Sequence, residues 1–410
     1  MDAPGARSAS RALVTGIGVV APTGIGVEAW WSRTLAGSSA ISAITRFDAA
    51  DYPAKLAGQV PDFEPSDKVP ARLVPQTDHM TRLALIAAAE AIEDAGIDTA
   101  ELPPFSMGVM TAASGGGVEF GQRELQNMWS HGRQHVSAYQ SFAWFYAVNT
   151  GQISIRHGMQ GPSGVVVTEN AGGIDAIGQA RRTLRRGAHL MITGGTDGAL
   201  CPWGWLAQLA TRSTTPESDP ARAYRPFAAD ATGYVPAEGG ALFVAESEPE
   251  ALGRGVVAPY GVLAGYAATF DARTSTDGNG LLRAATSALA DAGLSASDVD
   301  LVYADAVGLP SLDRQEARVL RELFGPHGVP VTAPKTMTGR ALAGGAALDV
   351  AAALLSIRDG VAPPTIGVEV DPALQLDLVQ DRPRELPIRT VLVLARGYGG
   401  FNAAIVLTSY

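Results

Sequence analysis

One turn between a strand and a helix places a single side chain where a reactive group would act. The β-branched run 164–168 leads into this turn, and Gly172 and Gly173 let a helix begin directly after it. A side chain at such a helix N-terminus lies near unpaired N–H groups and the positive end of the helix dipole, which together stabilise an anion. A cysteine there would be an activated thiolate, a nucleophile for covalent catalysis. The residue is Asn170, and its amide is not a nucleophile.

Glycine-rich clusters are the other segments whose form suggests chemistry. Residues 16–21 (GIGVVA) match the dinucleotide-binding fingerprint and directly follow a strand. A dinucleotide site would begin a helix there and carry an acidic residue about 20 positions later. Pro22 follows instead, and residues 35–42 contain no acid, so we interpret these glycines as a turn. We also interpret as turns three clusters that lack the Lys-Ser/Thr ending of a phosphate loop, namely 113–117, 194–200 and 397–401.

Composition excludes several classes of function. The 410 residues are 46% hydrophobic and 18% charged, as in a well-buried globular protein and unlike a disordered chain. The net charge is −10, whereas a surface that binds nucleic acid needs a basic excess. The single cysteine, Cys201, excludes a disulfide within the chain and a cysteine-based zinc site, and the histidines form no HExxH pair. We therefore expect no nucleic-acid partner and no metal, and we interpret Cys201 as a buried thiol.

The sequence contains no recognisable targeting or membrane signal. Its first residues lack the continuous apolar core of a signal peptide. No apolar run approaches the ~18 residues that are needed to cross a bilayer. We therefore expect a cytoplasmic protein with no membrane partner.

The elements that must position these residues alternate between strand and helix, which is typical of an α/β fold with buried sheets. The alternation occurs twice, and a polar, glycine-containing stretch at 248–260 separates the two runs. We predict a flexible tail over residues 1–10 and two halves over residues 11–255 and 256–410. The predicted strands are 11–22, 107–114, 164–168, 189–197, 238–247, 261–270 and 298–308, with a terminal hairpin over 390–410 that turns at 397–400. The predicted helices are 27–36, 79–96, one that ends at Gly187, 279–293, 314–325 and 340–360.

The turn at Asn170 resembles the active-site turn of the β-ketoacyl synthases. This resemblance implies a thiolase-like α/β fold, in which two duplicated βαβαβαββ halves form a five-layer αβαβα sandwich. Those enzymes combine the cysteine of the turn with two histidines from later loops.

All three catalytic positions of that family carry other residues in this chain. Asn170 stands in place of the cysteine. The loop 303–316 resembles the loop of the first histidine and has Asp305 at its position. The stretch 333–346 resembles the loop of the second histidine and has Arg340 at its position.

The resemblance therefore implies that no residue of this chain catalyses condensation. Decarboxylative condensation needs a thiolate that holds the growing chain and neutral donors that stabilise an enolate. An ionised Asp305 would repel an enolate, and we expect Arg340 to be a lone cation beside an amide, without covalent chemistry. Lys335, which the family also carries, is retained.

Within the family, the chain resembles the chain length factor, or ketosynthase β subunit, of bacterial type II aromatic polyketide synthases. The resemblance rests on residues 141–162, 202–205 and 391–402 and extends from Arg11 to the end of the chain. It implies three partners: a catalytic ketosynthase α subunit in a heterodimer, an acyl-carrier protein with its phosphopantetheine arm, and a growing poly-β-ketone. It implies no cofactor of the chain's own. The subfamily usually has glutamine, with an assigned role in decarboxylative priming, where this chain has the shorter amide of Asn170.

The resemblance also implies which residues shape the polyketide tunnel. They are Val118, Gly121 and Leu125 on one face of a helix, with Trp203 and Gly204 opposite. Relatives that make octaketide-type chains carry bulkier residues there, so the small residues predict a product longer than an octaketide. Periodicity alone favours a core or interface stripe at these positions.

Several alternatives stay open. The aromatic run 141–148 fits a large interface or an ordinary core. The basic run 181–186 fits a docking site for an acidic carrier protein, although a solvated helix face is the more frequent reason for such spacing. Two other functions are an active malonyl decarboxylase that uses Asn170 and Arg340, and a homodimeric thiolase-fold binding protein without a polyketide partner.

Overall fold

The secondary structure alternates as the sequence predicts. The structure, a computed structural model, describes residues 10–61, 69–272 and 279–410, so the tail predicted over residues 1–10 lies outside the described residues except for Ser10. The strands are β1 (Ala12–Ala21), β2 (Gly24–Ile25), β3 (Ile41–Ala43), β4 (Leu56–Gly58), β5 (Met107–Ala112), β6 (Ser163–Val166), β7 (Leu190–Asp197), β8 (Gly239–Ser247), β9 (Gly261–Phe270), β10 (Leu301–Tyr303), β11 (Pro330–Thr332), β12 (Val361–Ala362), β13 (Asp377–Leu378), β14 (Arg384–Glu385), β15 (Thr390–Gly397) and β16 (Phe401–Thr408). The helices are α1 (Val27–Leu35), α2 (His79–Asp94), α3 (Val118–His131), α4 (Gln140–Ala143), α5 (Val148–His157), α6 (Gly172–Arg185), α7 (Pro202–Ala210), α8 (Glu248–Gly253), α9 (Asn279–Ala292), α10 (Pro310–Phe324) and α11 (Ala343–Asp359).

The strands repeat one topology twice. In the first half they lie in the order β6-β5-β7-β8-β1, and in the second in the order β11-β10-β15-β16-β9, with β13 added beside β11. In each half the first three strands are parallel and the remaining pairs are antiparallel. β1 also pairs with β9, Leu13 with Val262 and Val14 with Gly261, and this short pairing joins the two half-sheets. The duplication that the resemblance implies is therefore present.

Helices fill the space outside and between the two half-sheets. α2 packs on β1, β7 and β8 at one outer face, and α9 packs on β9 and β16 at the other. α6 and α11 lie in the middle, where they contact each other, β7 of the first half and strands of the second half. The large clusters of buried apolar side chains follow these three spaces. The architecture is therefore the expected five-layer αβαβα sandwich.

Gly16 and Gly18 of the dinucleotide-like motif lie inside β1, so their interpretation as a turn is wrong. A Cβ at Gly16 would lie 2.1 Å from the carbonyl oxygen of Ala91, and one at Gly18 would lie 1.9 Å from that of Ala87. Both carbonyls belong to α2, so the glycines allow this helix to pack directly on the strand. The sequence pattern could not distinguish such a close approach from a turn, because the approach depends on tertiary packing.

Of the stretch 248–260 that was predicted to separate the two halves, residues 248–253 form α8 and residues 254–260 contain no regular element. α8 ends at Gly253 and β9 begins at Gly261. The division predicted between residues 255 and 256 falls in this segment, and it stays a prediction. Among the helices that the structure describes, none is long and apolar enough to cross a membrane.

Candidate functional site

The turn that carries Asn170 lies between the two central helices. A short 3-10 turn over Glu169–Ala171 separates β6 from α6. Asn170 is 1% exposed, and its backbone N–H donates a 2.7 Å hydrogen bond to Oε2 of Glu169. A Cβ at Gly173 would lie 2.6 Å from the carbonyl oxygen of Ala343, the first residue of α11. The glycine therefore lets α6 and α11 begin side by side, one from each half.

The three positions that differ from the catalytic family meet at this point. Nδ2 of Asn170 donates a 3.3 Å hydrogen bond to Oδ1 of Asp305. Nη2 of Arg340 donates a 2.8 Å hydrogen bond to the same oxygen, and its Nη1 donates to the Asp305 carbonyl oxygen at 2.9 Å. Arg340 is therefore not a lone cation, which corrects the expectation from the sequence. The two substituted charges neutralise each other.

Arg396, which sequence reasoning missed, completes the site. Its Nε donates to Oδ2 of Asp305 at 2.9 Å, and its backbone N–H donates to Oδ1 at 2.9 Å. Its Nη2 pairs with Oε2 of Glu316 at 3.0 Å. An arginine in the otherwise apolar strand β15 was the available signal, because a buried arginine requires a carboxylate partner.

These contacts keep the site charged but internally balanced. Burial alone would raise the pKa of Asp305, but the charges of Arg340, Arg396 and Lys335 outweigh burial and hold that pKa well below its usual range. Burial lowers the pKa of Arg340, but the negative charges of Asp305 and Glu169 raise it by more, so the pKa lies above its usual value. Asp305 is therefore ionised and Arg340 protonated at neutral pH.

Lys335 supports the loop that carries Asp305. Its Nζ donates to the carbonyl oxygen of Ala304 at 2.6 Å and to that of Asp305 at 3.1 Å. The same Nζ lies 2.7 Å from Oδ2 of Asp349 on α11. Burial raises the pKa of Asp349 to about 6 although Lys335 lowers it. The ammonium group thus joins the loop to α11 and is engaged on three sides.

A small cavity opens beside these charges. Its volume is about 70 Å³, and its lining includes Glu169, Tyr234, Arg340, Arg396 and Tyr398. This space is far below the ~300 Å³ or more of a typical ligand pocket. None of the three altered positions holds a cysteine, serine or histidine, so they lack the thiolate and imidazole groups that condensation uses.

The predicted tunnel residues fall on two helices that pack against each other, α3 and α7. Gly121 is buried, and a Cβ there would lie 3.7 Å from Cβ of Trp144 and 3.9 Å from Cζ3 of Trp203. Val118 and Leu125 are half-buried on the same helix. The structure therefore brings Gly121 and Trp203 together, with Trp144 beside them.

Gly204 has a separate packing reason to be glycine. A Cβ there would lie 2.2 Å from the carbonyl oxygen of Ala199, in the segment that precedes α7. No side chain fits without backbone movement. The packing of α7 on the segment before it therefore requires glycine at position 204. A glycine there is also compatible with a tunnel wall.

An aromatic surface adjoins Gly121. We define the aromatic surface as Trp144, Phe145, Tyr146 and Trp203, which are 51%, 39%, 40% and 50% exposed. Large apolar side chains exposed together mark a surface that another molecule covers. Of the two interpretations of residues 141–148, the exposure of these aromatics favours the interface over the core.

The two remaining candidate segments are occupied by structural contacts. Arg181 of the basic run is 2% exposed, and its guanidinium pairs with Asp291 of α9. The interpretation of this run as a docking site for a carrier protein is therefore wrong for Arg181, whereas Arg182 is exposed.

Cys201 is buried, and burial raises the pKa of its thiol to about 11, so the interpretation as a buried thiol is confirmed. In the part of the chain that the structure describes, no group of three or more potential ligands could hold a metal ion.

Comparison with known families covers most of the sequence. Residues 9–251 match the N-terminal domain of β-ketoacyl synthase, and residues 260–369 match its C-terminal domain. The tetracenomycin polyketide synthase ketoacyl synthase β subunit of Streptomyces glaucescens is 56% identical over 398 residues, which cover 96% of this chain and 97% of that protein. The 3-oxoacyl-acyl-carrier-protein synthase 2 of Coxiella burnetii is 32% identical over 407 residues, which cover 97% and 98% of the two chains.

Two solved structures have the same fold over 98% of this chain and 100% of their own. The ishigamide ketosynthase/chain length factor superposes with a TM-score of 0.91 at 27% sequence identity. A type II polyketide synthase acyl-carrier protein in complex with its ketosynthase bound to the hexaketide superposes with a TM-score of 0.90 at 26% identity.

Proposed function

The chain belongs to the β-ketoacyl synthase family, and we propose that it is the chain length factor of a type II polyketide synthase. In this role it pairs with a catalytic ketosynthase α subunit. The poly-β-ketone grows in a tunnel at the interface, and residues of this chain set its length.

The observation that carries this proposal is the mutual bonding of Asn170, Asp305 and Arg340. Condensation requires a thiolate and free donors that stabilise an enolate. Here the thiolate position holds an amide, and both donor positions bind each other. A site of this kind fits a subunit whose contribution is shape, while its partner performs the chemistry.

The aromatic surface supports a heterodimer. Aromatic residues are enriched at protein interfaces, and large obligate interfaces are more apolar than the rest of a surface. β6 lies at the free edge of the first half-sheet, and Val167 directly after it is 44% exposed. An edge strand and exposed aromatics on one chain both favour coverage by a partner subunit.

The surroundings of Gly121 support a long tunnel. A Cβ at Gly121 would make ordinary contacts with Cβ of Trp144 and the ring of Trp203, so glycine leaves space for at least one carbon beside these two side chains. A larger side chain would fill that space, and well-packed walls exclude even one additional methylene. We therefore propose a product longer than an octaketide.

The acyl groups reach the complex on an acyl-carrier protein. We propose that a phosphopantetheine arm of that protein carries each extender unit to the growing chain that is held on the partner's cysteine, and that this chain needs no cofactor of its own. The related complex of a carrier protein with its ketosynthase supports this assignment.

The alternative function, malonyl decarboxylation by Asn170 and Arg340, has less support. An enolate that decarboxylation forms is stabilised by hydrogen-bond donors that are not already bonded to other groups. Nδ2 of Asn170 already gives one of its two N–H groups to Asp305, and Nη2 of Arg340 gives both of its N–H groups, one to Asp305 and one to the carbonyl oxygen of Arg396. Loss of carbon dioxide release in Asn170→Ala, with product length unchanged, would favour the decarboxylase.

Reconstitution tests the proposal. The chain is co-expressed with a ketosynthase α subunit that has an intact Cys-His-His set and with its carrier protein, and the released polyketides are weighed by mass spectrometry. We expect condensation only when both subunits are present, with products longer than an octaketide. An octaketide as the sole major product contradicts the predicted length. Recovery of the chain as a stable homodimer that does not bind the α subunit contradicts the proposed pairing.

A further inference from the structure

α3, the helix with the predicted tunnel residues, has no capping side chain of its own. It begins after Gly117, which has no side chain to offer its N-terminal N–H groups. Two carboxylates from other elements bind at this end instead. They are Asp78 and Asp197, and each is 1% exposed.

Asp78 binds two helices at once. Its Oδ1 accepts a 2.9 Å hydrogen bond from the backbone N–H of Met80 and so caps α2. Its Oδ2 accepts a 2.8 Å hydrogen bond from the backbone N–H of Phe120 in the first turn of α3. Hydrogen bonds to an ionised acceptor are about twice as strong as neutral ones. One side chain therefore fixes the start of α3 to the start of α2.

Asp197 binds the turn that leads into α3. Its two oxygens accept the N–H of Ser114 at 3.1 Å each, and Oδ1 accepts the N–H of Gly115 at 3.3 Å. Oδ2 also accepts the N–H of Ala343, the first residue of α11, at 2.9 Å. The turn before α3 is thereby held to the central layer of the sandwich.

The backbone around Gly117 leaves little freedom between these two anchors. Its N–H donates to the carbonyl oxygen of Trp144 at 3.0 Å. A Cβ at Gly117 would lie 2.0 Å from the carbonyl oxygen of Ala143 and 3.0 Å from Cβ of Asp78. Gly121 lies one helical turn further along, so the anchors determine how it faces Trp203.

We propose that Asp78 and Asp197 are positioning residues for product length. This inference rests on the proposed function, because it assumes that Gly121 lines the tunnel. Neither carboxylate touches the chain that grows there; both act through α3. If either anchor is lost, α3 shifts or fluctuates relative to Trp203, and the space for the last two-carbon unit is no longer defined.

The test replaces each carboxylate by its amide in the reconstituted complex. In Asp78→Asn, a single carbonyl oxygen remains for two N–H groups, and the amide N–H groups face the other donor. We expect Asp78→Asn and Asp197→Asn each to raise the fraction of products outside the major length by about threefold or more, as loss of one buried hydrogen bond allows. The ratio of lengths is read by mass spectrometry and does not depend on how much complex is active.

Asp98→Asn is the matched control. Oδ1 of Asp98 caps a short exposed helix through the N–H of Ala100, so the same chemical change occurs away from α3. We expect Asp98→Asn to give the same ratio of product lengths as the parent complex. The parent ratio in assembled Asp78→Asn and Asp197→Asn complexes, or an equal shift in Asp98→Asn, overturns the inference.

If neither variant assembles, hydrogen exchange of the parent complex tests whether Asp78 and Asp197 hold the start of α3. We expect the amides of Ser114 and Phe120 to exchange as slowly as that of Ile192 in the centre of β7. Exchange faster by about 100-fold would show that the anchors are open and would overturn the inference. An unchanged length in Gly121→Phe contradicts the proposed tunnel itself, whereas a shortened product there with no effect of either amide variant contradicts this inference alone.

Discussion

Arg340 and Asp305 form a buried ion pair in which Nη2 lies 2.8 Å from Oδ1, with side chains 4% and 0% exposed. The two residues stand where the related condensing enzymes are expected to carry histidines. A pair of neutral donors has thus been replaced by two opposite charges that satisfy each other. The site is polar and closed, and its contacts contribute to folding.

Asp305→Asn should destabilise the complex strongly. The change leaves the buried Arg340 and the half-buried Arg396 without their shared counter-charge, and breaking one side of a buried pair typically costs about 3–5 kcal/mol. Urea unfolding of the heterodimer measures the loss. Glu28→Gln is the control, because Glu28 is 77% exposed in its pair with Arg358 and should change the free energy of unfolding by less than about 1 kcal/mol. Equal effects of the two variants would contradict the structural role of Asp305.

Stability should depend on pH through Asp313. Burial raises the pKa of Asp313 to about 7, although hydrogen bonds from Phe227 and Gly308 lower it. Because the folded pKa exceeds the unfolded value of about 3.9, the contribution to stability is fully present below about pH 4 and is lost as pH rises through about 7. The free energy of unfolding should therefore rise between pH 8 and pH 5. Asp313→Asn should reduce that slope by up to about 1.4 kcal/mol per pH unit. Identical slopes in parent and variant would contradict the assignment.

Gly121→Phe should shorten the polyketide. A Cβ there would already lie 3.7 Å from Cβ of Trp144 and 3.9 Å from Cζ3 of Trp203, so the added ring must take up space beside these side chains. We expect the major product to lose at least one two-carbon unit, as measured by mass spectrometry of the reconstituted system. Gln126→Phe adds the same ring to an exposed position of α3 and should keep the parent length.

Gly204→Ala should act on stability. The added Cβ would lie 2.2 Å from the carbonyl oxygen of Ala199, so the backbone must move at a cost of about 1–3 kcal/mol. Gly121→Ala adds the same methyl group at ordinary contact distance and should cost less than about 1 kcal/mol. Chemical denaturation of the two complexes distinguishes the positions. Equal stability of the two variants would contradict the packing role of Gly204.

Trp144→Ala should weaken the heterodimer. Trp144 is 51% exposed on the aromatic surface, and truncation of an interface tryptophan commonly costs about 2 kcal/mol, or roughly 30-fold in Kd. Titration of the α subunit with the purified chain gives the value. Val257→Ala removes an 89% exposed side chain from the segment between the halves and should leave Kd unchanged. An unchanged Kd in Trp144→Ala would place the interface elsewhere.

Local patterns predicted most of the architecture. Alternating apolar runs gave most of the strands and helices within a few residues, because period and turn chemistry are local properties. The turn at Asn170 and the altered residues 305 and 340 were recognised from motifs. Strand β10 was predicted too long, since only Leu301–Tyr303 pair with neighbours before the chain turns into the site.

The contacts of the site could not be predicted in the same way. Arg396 is 91 residues from Asp305, and Asp78 is 42 residues from Phe120. Which buried carboxylate meets which donor depends on the packing of both halves, and no local pattern encodes it. For the same reason, the glycines of β1 suggested a turn, whereas their role is to admit α2.

The bonding of Asn170, Asp305 and Arg340 also makes the catalytic residues of a condensing enzyme difficult to introduce here one at a time. Replacing Arg340 by histidine removes a cation that Asp305 needs, and replacing Asp305 by histidine removes the counter-charge that two guanidinium groups share. Each of these single changes passes through a destabilised protein. Only concerted replacement of several residues could therefore give this site the cysteine and two histidines of a condensing enzyme.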